Sequence, residues 1–371
     1  MQRIRRALID LRRGEPVHVA GEAGGSLILA LENLTEARLE QALGLASGTP
    51  SVLLTAHRAE ALGLDGHAGD GIAVAVPEAS LMETARALAK GRDAEPTGTT
   101  ARPVTDGERQ ALELARRATL LPALLAIESD PDRDRLAGEI QRGEVLSIDR
   151  GEARRFFADS GRHPERVSEA RVPLSGAEQS RFILYREADG LLEHVALVIG
   201  DPRQWPTTPA LRMHSACLTG DLFGSLRCDC GEQLRSAVHA IAEEGGGILL
   251  YLAQEGRGIG LANKLRAYGL QDTGLDTMDA DQLLGFGEDE RRYDVAAAML
   301  DDLGISRVRL MTNNPGKIAA LEAAGVEIAG REAIHGELNR HNAPYLTAKA
   351  NRAGHWLEEV FADSAADGNQ R

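Results

Sequence analysis

Arg212-Met-His-Ser-Ala-Cys217-Leu-Thr-Gly-Asp221-Leu-Phe-Gly-Ser-Leu-Arg-Cys228-Asp-Cys230-Gly-Glu-Gln233 holds every cysteine of the chain. Free cysteine is often a small core hydrophobe, and scattered cysteines would read that way. Here all three sit in one polar, glycine-containing stretch, which points to a metal site. Zn²⁺ favours thiolate and imidazole ligands, and structural zinc sites fill all four tetrahedral positions. Thiolates from Cys217, Cys228 and Cys230 leave the fourth position open to water; His214 as a fourth ligand would close it, but a hydrogen-bonded histidine is the expectation there. Cys228 and Cys230 are two apart, so on an extended segment both sulfurs lie to one side. Cys217 reaches them if the turn at 220–226 folds back.

Outward from this stretch, composition narrows the function classes. A chain of 371 residues exceeds one typical domain, and length alone favours two or three. Aromatic residues make up only 4%, and the abundance of Ala, Gly and Leu suits compact α/β packing. A formal net charge of −14 argues against the basic face that nucleic acid requires, although arginines clustered in loops leave room for a local anion pocket. Three cysteines make no disulfide framework, and a reducing cytosol keeps thiolates available for metal. The N-terminus, Met1-Gln-Arg-Ile-Arg-Arg6, lacks the apolar run of a signal peptide. No window is apolar for long enough to span a bilayer. The expectation is a cytoplasmic protein with neither a nucleic-acid nor a membrane partner.

Periodicity organises the chain into two halves. Ile4, Leu8 and Leu11 recur at helical spacing over 2–13, and Gly14-Glu15-Pro16 stops that helix. Apolar runs at 17–19, 26–31, 51–55, 72–76, 120–127 and 145–148 read as strands. Residues 35–45, 56–62, 81–90 and 106–119 read as helices, and 91–105 as a loop. Residues 159–164 have the loop-forming composition of a boundary. Beyond it, strands are expected at 169–172, 180–185, 194–199, 248–252 and 308–311, with helices at 234–244, 261–268 and 315–324. The fold class is α/β (α+β), with two domains, each a mixed sheet with flanking helices. They span 1–160 and 166–362, followed by a flexible tail at 363–371.

Gly14-Glu-Pro-Val17, Ser26-Leu-Ile-Leu-Ala-Leu-Glu-Asn-Leu-Thr35, Arg58-Ala-Glu-Ala-Leu-Gly-Leu64 and the helix running into Leu121-Pro122 make the first half similar to 3,4-dihydroxy-2-butanone-4-phosphate synthase. That family carries an acidic metal-binding loop between its first two strands. This chain has Gly21-Glu-Ala-Gly-Gly-Ser26 there, and binding Mg²⁺ to a sugar phosphate needs more carboxylates than Glu22 alone supplies. The family's Gly-His-Thr-Glu turn is replaced by Val104-Thr-Asp-Gly-Glu108. The resemblance therefore implies a degenerate, non-catalytic domain that serves dimerisation or stability.

The second half repeats this kind of match more densely. The cysteine stretch is followed by Gln254-Glu-Gly-Arg257, Lys264-Leu-Arg-Ala-Tyr268, Leu270-Gln-Asp272, Leu284-Gly-Phe286, Asp289-Glu-Arg291 and the block at 310–315. From 166 to about 359 the chain resembles GTP cyclohydrolase II. The resemblance implies opening of the imidazole ring of GTP, giving 2,5-diamino-6-ribosylamino-4(3H)-pyrimidinone 5′-phosphate, formate and pyrophosphate, the first step of riboflavin biosynthesis. It implies one Zn²⁺ per subunit on Cys217, Cys228 and Cys230, Mg²⁺ with the triphosphate, and a homodimer. Arg212, Gln233, Glu255, Arg257, Thr277, Thr312 and Lys317 match its nucleotide-binding positions, and Tyr268, Asp289 and Arg291 its catalytic ones. Asp289 is there a proton acceptor and Arg291 a nucleophile toward the α-phosphate. A guanidinium stays protonated at neutral pH, so a bidentate clamp on phosphoryl charge suits Arg291 better.

Alone, each of these basic residues would read as a solvated surface charge, and Gln233 as a first-turn helix residue. Ala216 stands where the family often has Glu. Two other readings remain open. One is a regulatory paralogue that binds GTP without turnover. The other is a bifunctional enzyme also making 3,4-dihydroxy-2-butanone 4-phosphate, against which the missing acidic loop argues.

Overall fold

The computed structural model describes residues 2–21, 24–64, 69–92, 100–130, 135–159, 163–336, 338–352, 354 and 356. Glu22 and the 363–371 tail lie outside these. The chain forms two compact units, 1–158 with 262–290, and 159–261 with 291–371. No helix among the described residues is long and apolar enough to cross a membrane.

The first unit is built on a seven-stranded sheet. Its strands are β1 (Val17–Gly21), β2 (Gly24–Ala30), β3 (Pro50–Thr55), β4 (Gly71–Ala75), β5 (Ala101–Pro103), β6 (Ala123–Ser129) and β7 (Leu146–Asp149). They lie in the order β5-β4-β3-β6-β2-β1-β7, antiparallel except where β1 meets β7. Alternate residues Leu27, Leu29, Val52, Leu54, Ile72, Val74, Leu125 and Ile127 share one core with Leu39, Ala42, Leu81, Ala85 and Leu88 of the helices Glu36–Leu45 and Leu81–Lys90. The helix Asp106–Arg117 packs against β1, β2 and β6. Cover on both faces explains why these strands read as unbroken apolar runs rather than alternations. Strand β5 falls in the segment read as a loop. It is three residues long at a sheet edge and carries no apolar run.

Residues 262–290, which sequence similarity groups with the second half, are tied into this first sheet by polar contacts. The buried Asn263 donates from Nδ2 to Thr119 O at 3.1 Å. Arg266 donates to both oxygens of Glu32, at 2.9 and 3.2 Å, and Glu32 also accepts the Leu121 N–H. Thr55 Oγ1 donates to Gly285 O at 2.7 Å, and a Cβ at Gly285, where φ is +90°, would sit 3.1 Å from that same hydroxyl. Arg58, 2% exposed, donates to Leu88 O at 2.9 Å, to Gly91 O at 2.5 Å, and to Leu283 O. Burial pulls its pKa down to about 10, still well above neutrality, so the guanidinium remains charged.

The second unit holds β8 (Glu165–Arg171), β9 (Ser180–Arg186), β10 (Glu193–Ile199), β11 (Ala210–Ser215), β12 (Gly247–Leu252), β13 (Arg307–Met311) and β14 (Glu327–Glu332), in the order β14-β13-β11-β12-β10-β9-β8. The first four in that order run parallel and the rest antiparallel. Leu211, Met213, Leu250 and Leu310 pack with Val295, Met299 and Leu300 of the helix Asp294–Asp302. On the other face Ala210, Leu249 and Met311 meet Ala237 and Ile241 of the helix Cys230–Glu243. Strand β11 carries no sequence signal of its own. It is buried on both faces, and Arg212 and His214 interrupt its apolar run.

Replacing Arg58 by Ala strands several buried carbonyls. It is expected to lower the unfolding free energy by about 3 kcal/mol, measured by denaturant titration of the whole chain. A change under about 0.5 kcal/mol would show that these contacts do not hold the 262–290 segment.

Candidate active site

Ligands in open α/β sheets bind beyond the carboxyl ends of parallel strands. Three adjacent parallel strands, β12, β11 and β13, end at Leu252, Ser215 and Met311. The segments that follow carry Gln254 to Arg257, Cys217, and Thr312 to Asn314 with Lys317 in the first turn of the next helix.

The sulfurs of Cys217, Cys228 and Cys230 all lie within 4.8 Å of one another, with 3.6 Å between Cys217 and Cys228. A tetrahedral ion bonded to sulfur at about 2.3 Å separates two of its ligands by about 3.8 Å, so the donor set fits a metal. Cys217 and Cys228 are buried. Close backbone approach makes the cluster possible. A Cβ on Gly231 would lie 2.2 Å from Gly220 O, and one on Gly220 would lie 2.8 Å from Cys228 Sγ. The cysteine pair is not on an extended segment. Cys230 opens the helix Cys230–Glu243, four residues before the expected start, and that helical turn brings its sulfur beside Cys228. The Cys217 thiol beside it pushes Cys228 up to about 11, and both neighbouring thiols raise Cys230.

His214 is not arranged as a fourth ligand. Its Nε2 is 3.0 Å from Asp221 Oδ1, and its ring stacks on Tyr251 at 5.6 Å. Burial holds its pKa below the usual value, leaving a neutral imidazole that donates to Asp221. Asp221 also accepts the Cys217 N–H and the Tyr251 hydroxyl, each at 2.9 Å. Asp221 and Tyr251 stand out only weakly in sequence. The signal available was an Asp one helical turn beyond Cys217, and a Tyr placed late in an apolar strand.

Arg212, 5% exposed, donates to Met311 O at 2.8 Å and to Gln233 Oε1 at 2.7 Å, and its Nε has no partner among the described residues. Burial pulls its pKa down to about 10, against the charges of Asp229 and Cys230, and Arg291 adds to the lowering. Gln233 passes the chain on to Asp229, between the two cysteines. Lys317 Nζ donates to Met213 O at 2.7 Å. Thr312 Oγ1 accepts the Asn314 N–H, and Asn314 caps the helix Pro315–Ala323 by accepting from Gly316 N. That helix start offers N–H donors and the positive dipole end to an anion. Glu255 accepts the Leu218 N–H at 2.6 Å. Gly256 and Arg257 both take left-handed φ values, +63° and +62°. For arginine this costs about 1–2 kcal/mol, the kind of strain held at functional turns. Arg291 lies over the Tyr293 ring at 5.7 Å. Ala216 uses its N–H on Leu252 O.

Tyr268, Thr277 and Asp289 belong to the first unit. Tyr268 is half-buried, with Lys264 Nζ 5.7 Å from its ring centre. Thr277 opens the helix Thr277–Leu283, capped by Asp276. Asp289 is exposed. The first unit also holds a cavity of about 450 Å³ lined in part by Gly21, Ser26, Arg102, Thr105, Glu108 and Glu128. Burial opposes ionisation of Glu108 there, but bonds from Arg102 and the Thr105 N–H hold its carboxyl below the usual range.

A three-thiol cradle that fits a metal ion, beside the buried Arg212 and Lys317 at the carboxyl ends of parallel strands, defines a metal-binding α/β site with positive charge available for an anion. Residues 165–333 match the model of the GTP cyclohydrolase II family. GTP cyclohydrolase-2 of Azospirillum brasilense is 42% identical over 363 residues, 96% of this chain and 94% of that protein. GTP cyclohydrolase-2 of Xylella fastidiosa strain Temecula1 is 39% identical over 357 residues, covering 96% and 87%. GTP cyclohydrolase-2 of Pseudomonas paraeruginosa is 57% identical over 200 residues, 54% of this chain and 96% of that protein. The chain belongs to the GTP cyclohydrolase II family and is an enzyme of that type.

Gly220→Ala is expected to lower metal affinity by about ten- to a hundredfold, read by competition with a chromogenic chelator. Unchanged affinity would mean the sulfurs do not need that space. Because the crowded thiols hold their protons at neutral pH, metal binding releases protons, and affinity should fall as pH is lowered.

Proposed function

We propose that the chain hydrolyses GTP to 2,5-diamino-6-ribosylamino-4(3H)-pyrimidinone 5′-phosphate, formate and pyrophosphate, as the first step of riboflavin biosynthesis. The convergence of Cys217, Cys228 and Cys230 beside Arg212 supports this reading most directly. These three thiolates would hold one Zn²⁺ per subunit, which when bound would supply Lewis acidity toward water. Mg²⁺ accompanies the triphosphate.

The side chains divide the remaining work. Arg212, Arg257 and Lys317 provide positive charge for the triphosphate, and the Asn314-capped helix start adds backbone donors. Thr277, Thr312 and Gln233 supply neutral hydrogen bonds, and Glu255 orders the loop after Cys217. Arg291 clamps the α-phosphate as charge develops on it, because its guanidinium stays protonated. Asp289 takes a proton during ring opening, and the Tyr268 hydroxyl orients water or assists that transfer. Ring opening breaks the two C–N bonds at purine C8, one water for each, and releases that carbon as formate, so water must be held over the face of the ring at C8.

The first unit acts as a support without catalysis of its own. The carboxylate of Glu108 at its cavity is already taken by Arg102, whereas the 262–290 segment bearing Tyr268, Thr277 and Asp289 is anchored by Arg58 and Glu32. The protein works as a cytoplasmic homodimer on a small nucleotide, with no nucleic-acid or membrane partner.

Incubation of the zinc-loaded protein with GTP and Mg²⁺ should release formate. Cys228→Ser should reduce the rate by more than about a thousandfold, while Asp289→Asn should lower it by about a hundred- to ten-thousandfold at preserved zinc content. No formate from a fully metallated protein would reject the assignment. Turnover of ribulose 5-phosphate would contradict the supporting role of the first unit.

A further inference from the structure

A ring of polar contacts around the buried Glu187 and His194 in the second unit has no part in the chemistry above. Glu187 and His194 are 3% and 0% exposed. His194, on β10, accepts the Ala253 N–H at Nδ1 over 3.0 Å, which places its own proton on Nε2. That Nε2 lies 2.9 Å from Glu187 Oε1. The other oxygen of Glu187 accepts from Arg292 Nη2 at 3.2 Å. The Arg292 carbonyl in turn accepts from Gln254 Nε2 at 2.6 Å, and Gln254 follows Ala253 in the chain, closing the ring.

Each end of this ring adjoins residues of the proposed site. Ala253 and Gln254 begin the turn that carries Glu255 and the left-handed Arg257. Arg292 follows Arg291. A buried ion pair is weak evidence of stabilisation, because a well-packed apolar pair of similar volume often serves as well. A fixed geometry between two loops is a better account of why charge is kept here. Reacting groups lose rate steeply when misplaced by an ångström, so a fixed relation between the loops has a catalytic use.

We infer that Glu187 is a positioning residue, which through His194 and Arg292 fixes the 254–257 turn against Arg291 so that Glu255, Arg257 and Arg291 meet the triphosphate as one preformed set. This rests on the cyclohydrolase reading. Glu187→Gln keeps the shape and an acceptor for His194 but removes the carboxylate from Arg292.

In the zinc-loaded full chain, Glu187→Gln should lower kcat for formate release by about ten- to a hundredfold, with zinc content unchanged and a smaller effect on KM. Hydrogen exchange of the 253–258 amides and of 291–293 should rise together. Arg292→Gln, at a partly exposed position, carries the same expectation should Glu187→Gln fail to fold. The double variant should lose no more than either single one, because both cut the same ring. A kcat within about twofold of the unmodified protein overturns the inference, as do additive losses or looser exchange in only one of the two segments. Absence of formate from the unmodified protein rejects the cyclohydrolase reading itself, and this inference with it.

Discussion

The Asp221 carboxylate collects three donors from three different pieces of chain. It takes the Cys217 N–H of its own loop, the imidazole of His214 on β11 and the hydroxyl of Tyr251 on β12. Hydrogen bonds to a charged group are each worth about 1.5–3 kcal/mol, and leaving such a group unsatisfied costs more than the bonds contribute. The loop therefore has little freedom to leave the strand ends. With the loop held there, the Cys217 sulfur lies 3.6 Å from that of Cys228, and the glycines at 220 and 231 leave room for the other two cysteines to close on it. The same interaction explains why His214 is occupied: its Nε2 serves the carboxylate that holds the first cysteine.

A second consequence follows from where β11 sits. It lies between β12 and β13 in the parallel part of the sheet, so its neighbours' loops rise on either side of the cysteine loop. Arg212 and His214 project from the face covered by the helix Cys230–Glu243. Arg212 is consequently buried and reaches Gln233 and Met311 rather than water. A cation buried in this way, with its Nε still unused, is a costly feature for a structural core and a sensible one for an anion site.

The first unit has a different logic. Its sheet is covered on both faces, and its cavity-facing Glu108 is neutralised by Arg102. What its polar side chains do instead is grip residues 262–290. Arg58 is charged and nearly inaccessible, yet its side-chain hydrogen bonds go to carbonyls, those of Ala87, Leu88 and Gly91 at the end of the Leu81–Lys90 helix and that of Leu283. The family match runs continuously through 165–333, but the compact units do not follow it. Asp289 and Arg291, two residues apart, fall in different units.

Much of this was legible in the residues alone. The cysteine spacing, the Gly-rich turn before 261 and the apolar runs identified two mixed α/β sheets and a thiolate cluster, because local period and ligand chemistry are written directly in sequence. Strands β11, β5 and β14 were not legible: one is interrupted by buried charge, one is very short, and one alternates without strong apolar residues. Sequence also could not show that Asp221 organises the cysteine loop, that it is the partner His214 takes, or that Glu187 meets Arg292 more than a hundred residues further along the chain. Each depends on which side chains meet in space. Chain spacing fixes the neighbours within a turn or a strand, whereas hydrogen-bond partners across a sheet are chosen only when the strands have taken their order and register.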